Sequence, residues 1–205
     1  MNKRQAILCI VSGPSGSGKT TLCQALRQSE QLYYTVSCTT RQRRTGEAHG
    51  RDYFFLNDEE FAHGVATGEM LEYATVHGKS YGTLKSEVLP RLRAGQDVIM
   101  DLDTQGAAQL RACHDPEIEA ALVDVFILPA SLEDFRARLA SRLSETPAQM
   151  ELRMSNARLE LRHWPEYTYA IVSGTREQDL AAIRSILTAE RLKSTRLHGA
   201  GADEI

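Results

Sequence analysis

Residues 13–20 read Gly13-Pro14-Ser15-Gly16-Ser17-Gly18-Lys19-Thr20 and follow directly on the apolar run 6–11. The spacing is G-x-x-x-x-G-K-[ST], a loop that wraps its backbone amides around the phosphates of a nucleotide. Its glycines let several N–H groups converge on one anion without Cβ clashes. Lys19 adds a point charge, and Thr20, with Thr21 after it, opens a helix whose positive dipole end faces the same anion. The Thr20 hydroxyl is of the kind that ligates Mg²⁺ beside such phosphates. A loop of this kind needs a buried strand before it and a helix after it. The chain is therefore constrained to an α/β architecture from its first twenty residues.

The rest of the chain agrees with that constraint. Apolar runs at 97–103, 122–128 and 169–172 read as further buried parallel strands, with Asp101 and Asp103 at the carboxyl end of one of them. Helical patterns separate them at 19–28, 83–93, 105–112, 132–143, 147–163 and 178–192. Thr146, Pro147 and Gln149 form an N-cap, first-turn proline and capping box for the long helix. Strands alternating with helices imply a parallel sheet covered on both faces, with ligands beyond the carboxyl ends of the strands. Residues 36–83 break the alternation with short segments rich in Tyr, Thr and Gly, as in a small mixed-sheet insertion. Residues 138–154 are dense in arginine and polar residues and suit a mobile helical lid. The expected organisation is a core of 1–35, 84–137 and 155–192, the insertion 36–83, the lid 138–154, and a disordered tail 193–205.

Composition limits the classes of function. The 205 residues suit one domain with an inserted subdomain, and a net charge of −3 argues against a general nucleic-acid or membrane-surface binder. No run approaches the roughly 20 apolar residues needed to span a bilayer. Cys9, Cys23, Cys38 and Cys113 form no C-x-x-C pair, and a reducing, cytoplasmic compartment is expected. The six histidines show no metal-ligand spacing. No obligate protein partner is expected.

A second constellation begins at Ser37: Ser37-Cys38-Thr39-Thr40-Arg41-Gln42-Arg43-Arg44-Thr45-Gly46-Glu47, continuing through Gly50-Arg51-Asp52-Tyr53. Physically it is a run of guanidinium and hydroxyl donors punctuated by glycine, suited to gripping a dianionic phosphate. A solvated basic loop would have the same composition. The pattern S-x-T-T-R-x-x-R-x-G-E-x-x-G-x-D-Y-x-F resembles the nucleoside-monophosphate site of guanylate kinases. The resemblance extends through Leu71-Glu72-Tyr73-Ala74, Tyr81-Gly82-Thr83 and Asp101-Leu102-Asp103-x-Gln105-Gly106, and it covers about residues 6–170.

This resemblance implies ATP phosphates held by Gly13, Pro14, Ser15, Gly16, Ser17, Gly18, Lys19, Thr20 and Thr21, and transfer of the γ-phosphoryl group to GMP. It implies a GMP phosphate held by Arg41, Arg44, Tyr53 and Tyr81. Glu72 would accept from the guanine N1–H and 2-amino group, with Ser37 and Thr83 at the base edge and Asp103 shaping the pocket. Mg²⁺ would lie at Thr20, with Asp101 supporting its shell. Lys19 and the lid arginines Arg138, Arg142 and Arg153 would neutralise charge during transfer, although solvated helix-face arginines would look the same. A carboxylate at Glu72 separates guanine from adenine, because adenine offers no donors there and leaves the carboxylate unpaired.

Two positions depart from the family pattern. Ser173-Gly174 stands where Asn-Asp is common beside the donor base, and Leu143 follows Arg142 where glycine is usual. Two other readings compete with the kinase: a guanylate-kinase-like module that binds phosphopeptides, and a related kinase acting on another small phosphorylated molecule. The first typically carries a degraded phosphate loop, and the second would lack Glu72 and the paired arginines; all of these are intact here.

Overall fold

The computed structural model describes residues 3–29, 31–76, 78–140 and 146–198. From the amino end these form β1 (Lys3–Arg4), β2 (Leu8–Ser12), α1 (Lys19–Ser29), β3 (Tyr33–Tyr34), β4 (Cys38–Thr39), β5 (Phe54–Phe55), α2 (Asp58–Ala66), β6 (Met70–Val76) and β7 (Lys79–Leu84). The chain continues through α3 (Lys85–Arg93), β8 (Val98–Asp101), α4 (Thr104–Arg111), α5 (Pro116–Ala121), β9 (Leu122–Leu128) and α6 (Leu132–Ala140). It ends with α7 (Pro147–Leu161), β10 (Tyr169–Val172), α8 (Arg176–Arg191) and β11 (Leu197–His198).

Five strands form a parallel sheet in the order β10-β9-β2-β8-β3. Because successive side chains point to opposite faces, each buried strand feeds two cores. Leu8, Ile10, Val98, Met100 and Phe126 face α3, α4 and α5, where they meet Val88, Leu92, Ala107, Leu110 and Ile118. Cys9, Val11, Ile99, Val123, Val125 and Ile127 face α1 and α8 and meet Leu22, Leu26, Ile183 and Leu187. Continuous apolar runs are therefore required in β2, β8 and β9, and they are what the sequence contains. Cys9, Cys23 and Cys38 are buried free thiols, and burial pushes Cys9 up to about 12, as befits small core residues.

The insertion is a four-stranded mixed sheet, β5-β4-β7-β6, with β4 parallel to β5 and antiparallel to β7. It also carries α2, which the residue pattern left unread. Asn57 caps that helix through a capping box with Glu60, a polar signal in a segment with little apolar periodicity. Thr83, expected to open a helix, instead lies in β7, and α3 starts at Lys85. The predicted cap of the long helix is present, with Thr146 accepting from the Gln149 amide.

The expectation of a disordered tail needs correction over residues 193–198. Here β11 pairs antiparallel with β1. Arg196, 5 % exposed, donates to Glu190 and to the Ala120 carbonyl. A buried, paired arginine holds this segment against α8, so an apolar stretch is not needed to order it. Trp164 is 45 % exposed in a short 3₁₀ turn. Among the described residues no helix is long and apolar enough to cross a membrane.

Candidate active site

β2 ends at Ser12, and the chain turns through Gly13 at φ +147°, where a Cβ would lie 2.6 Å from the Ile127 carbonyl oxygen of β9. Only glycine fits this first step of the loop. Ser17 donates its amide to the Pro14 carbonyl at 3.0 Å and Leu22 to that of Gly18 at 3.0 Å, joining the loop to the first turn of α1. The Lys19 ammonium donates to the carbonyls of Gly13 at 2.7 Å and Pro14 at 3.1 Å, bracing the loop from within. Burial pulls Lys19 below the usual lysine range, against the opposing charges of Asp101 and Glu160. The Ser15 amide donates to Glu160 Oε2 at 3.1 Å.

Parallel pairing puts the carboxyl ends of β2, β3 and β8 side by side, which brings three oxygen-bearing side chains together. Thr20 Oγ1 donates to Asp101 Oδ2 at 2.6 Å, and the Tyr34 hydroxyl donates to Asp101 Oδ1 at 2.6 Å. With its proton committed to Asp101, the Thr20 oxygen keeps its lone pairs for a hard cation. Among the described residues no group of three or more His, Cys, Asp or Glu side chains could hold a metal ion. One hydroxyl beside one carboxylate still fits Mg²⁺, which keeps several waters and shares its shell with substrate phosphates.

A cleft of about 680 Å³ runs from Gly13, Ser15, Gly16, Gly18, Lys19, Thr20 and Thr21 to Arg41, Arg44 and Tyr81 on the insertion. A second cavity of about 200 Å³ shares Thr20, Tyr81, Asp101 and Asp103 with it and continues to Ser37, Tyr53 and Glu72. All the monophosphate-site residues expected from the resemblance except Thr83 thus line one or the other of two cavities that share Thr20, Tyr81, Asp101 and Asp103. Thr83, fully buried, stands behind this wall as the cross-strand partner of Glu72. Arg41 makes a bidentate pair with Glu47, at 2.8 and 3.1 Å, and its guanidinium lies 5.4 Å from the Tyr53 ring centroid. That pairing, with the Arg44 amide, holds the Glu47 carboxyl below the usual carboxylate range. Tyr53 and Tyr81 meet edge to face at 6.1 Å. These contacts gather the donors before any ligand arrives.

Glu72 is 5 % exposed. Burial pushes it up to about 7, while the Thr83 hydroxyl beside it pulls down and the Asp103 charge pushes up. Such a displaced carboxyl beside a cavity makes Glu72 a functional-site candidate. Gly106 permits it, since a Cβ there would lie 2.7 Å from Glu72 Oε2. Asp103 has a structural task as well, capping α4 by accepting from the Gly106 amide at 2.8 Å.

A third cavity, about 240 Å³, adjoins the other side of the phosphate loop between Ser17, Thr21, Ser173, Gly174, Arg176 and Asp179. There Asp179 accepts from the Ser173 hydroxyl at 2.8 Å and the Gly174 amide at 2.9 Å, so the departing pair is tied to α8. Arg153 lines a further cavity between α7 and the cleft, together with Ser15, Asp103 and Glu160. The Arg138 backbone belongs to α6, whereas its side chain, and all of Arg142 and Leu143, lie outside the described residues. Two neighbours of the site, Tyr34 and Glu160, lie outside every motif of the sequence, and Gly106 stood in the family motif without a role of its own. Tyr34 lies in a two-residue strand, too short to leave a signal in the residue pattern. For Glu160, on a helix with no polar motif around it, there was none.

The guanylate kinase family model matches residues 5–190. The guanylate kinase of Novosphingobium aromaticivorans is 40 % identical over 197 residues, covering 96 % of this chain and 87 % of that protein. That of Bradyrhizobium diazoefficiens is 42 % identical over 198 residues, covering 96 % and 89 %. The crystal structure of guanylate kinase from Anaplasma phagocytophilum superposes with a TM-score of 0.79 at 30 % identity, covering 98 % of this chain and 94 % of that one. With the phosphate loop and the facing insertion already in the order and spacing of that fold, the chain belongs to the guanylate kinase family.

Proposed function

We propose that the chain transfers the γ-phosphoryl group of ATP to the phosphate of GMP, giving ADP and GDP, with Mg²⁺. The observation that carries this reading is a buried carboxyl, Glu72, in a cavity that shares Thr20, Tyr81, Asp101 and Asp103 with the cleft at the phosphate loop, with Tyr53 lining that cavity and Arg41 and Arg44 lining the cleft. Glu72 would take the guanine N1–H and 2-amino donors, with Ser37 at the base edge, Thr83, which the sequence pattern put at that edge, supporting the Glu72 carboxyl from behind, and Asp103 closing the pocket. The loop residues 13–21 would hold the ATP phosphates.

The acceptor is a phosphate oxygen, largely ionised near pH 7 because its second pKa is about 6. No general base is needed, and the protein's task is alignment and charge neutralisation. Thr20, with Asp101 behind it, would hold Mg²⁺, which would supply charge neutralisation at the phosphates. Lys19 and the arginines of the α6–α7 segment, Arg138, Arg142 and Arg153, would screen the moving phosphoryl group. The insertion and this segment would close over both nucleotides and exclude water, which otherwise competes as acceptor. Four free cysteines and a net charge of −3 support a cytoplasmic enzyme acting on small nucleotides alone.

The test is Glu72→Ala. It should lose GMP phosphorylation by about 10³-fold or more, since a site built for hydrogen bonding discriminates at about 10⁴, while ADP binding on the loop persists. Retained GMP turnover would overturn the reading, and so would preference for another monophosphate.

A further inference from the structure

Donating its proton to Asp101 turns the lone pairs of the Thr20 oxygen outward toward a cation, and the direction of that donation depends on the plane of the Asp101 carboxylate. The terminal torsion of an aspartate is broad, so a strand-end carboxylate held by one oxygen rotates freely. Here the second oxygen is also held. Tyr34 closes β3, which pairs with β8 in parallel register, Tyr34 opposite Ile99. This register sets the tyrosine two residues before Asp101 on the neighbouring strand. Its ring packs against the apolar cluster of Leu22, Cys23 and Ile99, which aims the hydroxyl at Asp101 Oδ1, 2.6 Å away. The same carboxylate accepts from Thr20 at 2.6 Å through Oδ2. Three elements, β3, β8 and α1, therefore meet in one chain of hydrogen bonds.

We propose that Tyr34 is a positioning residue for the Mg²⁺ shell: it fixes the Asp101 carboxylate, which in turn orients the Thr20 oxygen toward the cation. This rests on the function proposed above. Tyr34 acts through Asp101, so removing its hydroxyl weakens the cation and leaves metal-free nucleotide binding intact. Outer partners of metal-site groups are worth about 10- to 100-fold in metal affinity, and the lower end applies where much of the shell is water and phosphate.

The test is Tyr34→Phe, which keeps the ring and its packing. ADP affinity is measured by calorimetry in excess EDTA, and Mg²⁺ is then titrated into the enzyme–ADP complex. The variant should bind ADP without metal within about twofold of wild type, and its half-saturating Mg²⁺ should rise about tenfold. In an Asp101→Asn background the same change should add little, because the two residues act as one unit. An unchanged Mg²⁺ response in Tyr34→Phe overturns the proposal. Equal weakening with and without metal does so too, and points to direct nucleotide contact or general packing. Additivity with Asp101→Asn likewise overturns it. A wild-type ADP complex indifferent to Mg²⁺ would instead remove the functional reading on which the proposal depends.

Discussion

Replacing Glu72 by Gln keeps the shape of the side chain and removes a charge from a nearly closed site, and this should stabilise the free enzyme in a pH-dependent way. Burial moves the Glu72 carboxyl from an ordinary 4.5 to about 7. Between those values the folded chain holds a proton that the unfolded chain has released, so the stability contributed by this group falls as pH rises. Above about pH 7 the full penalty is present, and at one pH unit per 1.36 kcal/mol it amounts to about 3 kcal/mol. Glu72→Gln removes that penalty. The gain over wild type should be about 3 kcal/mol at pH 8, an upper bound because the buried amide must itself find partners, and should shrink toward zero at pH 5. For a chain of this size that corresponds to roughly 6–12 °C in Tm at pH 8. Urea unfolding of both proteins without nucleotide, from pH 5 to 8, measures it directly. A stability difference that is flat across this range, or a variant less stable at pH 8, would refute the reasoning. The same variant should lose guanine recognition, so stability and function trade against each other at one residue.

Other positions give independent tests. Gly106→Ala would set a methyl 2.7 Å from Glu72 Oε2 and push the carboxyl off the base edge; the KM for GMP should rise about tenfold, one misplaced hydrogen bond, with the KM for ATP unchanged in initial-rate assays. Glu160→Gln frees the Ser15 amide from a competing charge; ADP should bind about tenfold tighter at pH 8, the low end for a charge-assisted bond. Burial raises Glu160, so the advantage should narrow as acid neutralises the wild-type carboxyl, and weaker calorimetric binding in the variant would contradict it. Arg196→Ala breaks the buried pair with Glu190. Because Lys193 and Tyr169 still serve that carboxylate, the loss should be about 3 kcal/mol in chemical unfolding, the low end for a broken buried pair.

The parallel core was legible because two-sided burial demands unbroken apolar runs; the bounds of β9 and β10 coincide with the expected segments. The phosphate loop was legible because its backbone geometry admits few sequences, Gly13 being the clearest case. The insertion was legible as mixed sheet, yet α2 was not, since its identity rests on the cap at Asn57 rather than on a periodic face. Thr83 illustrates a boundary that only pairing decides: its register opposite Glu72 in β6 extends the strand past the point where helical periodicity appears to begin. The contacts of Tyr34, Gly106 and Glu160 became visible only in three dimensions, although Gly106 itself stood in the family motif. Their contribution lies in what they touch across 67, 34 and 145 residues of separation respectively, and no local pattern encodes such contacts.

The central claim is that Glu72 reads guanine while the phosphate loop holds the donor. Its most direct test is ADP release from ATP by the purified chain with GMP, AMP, CMP or UMP as acceptor at equal concentration and saturating Mg²⁺. The account predicts turnover with GMP and rates lower by about 10⁴-fold with AMP, the discrimination expected of an unpaired buried carboxylate. CMP and UMP should be similarly poor acceptors. Comparable or greater rates with AMP or UMP would contradict it.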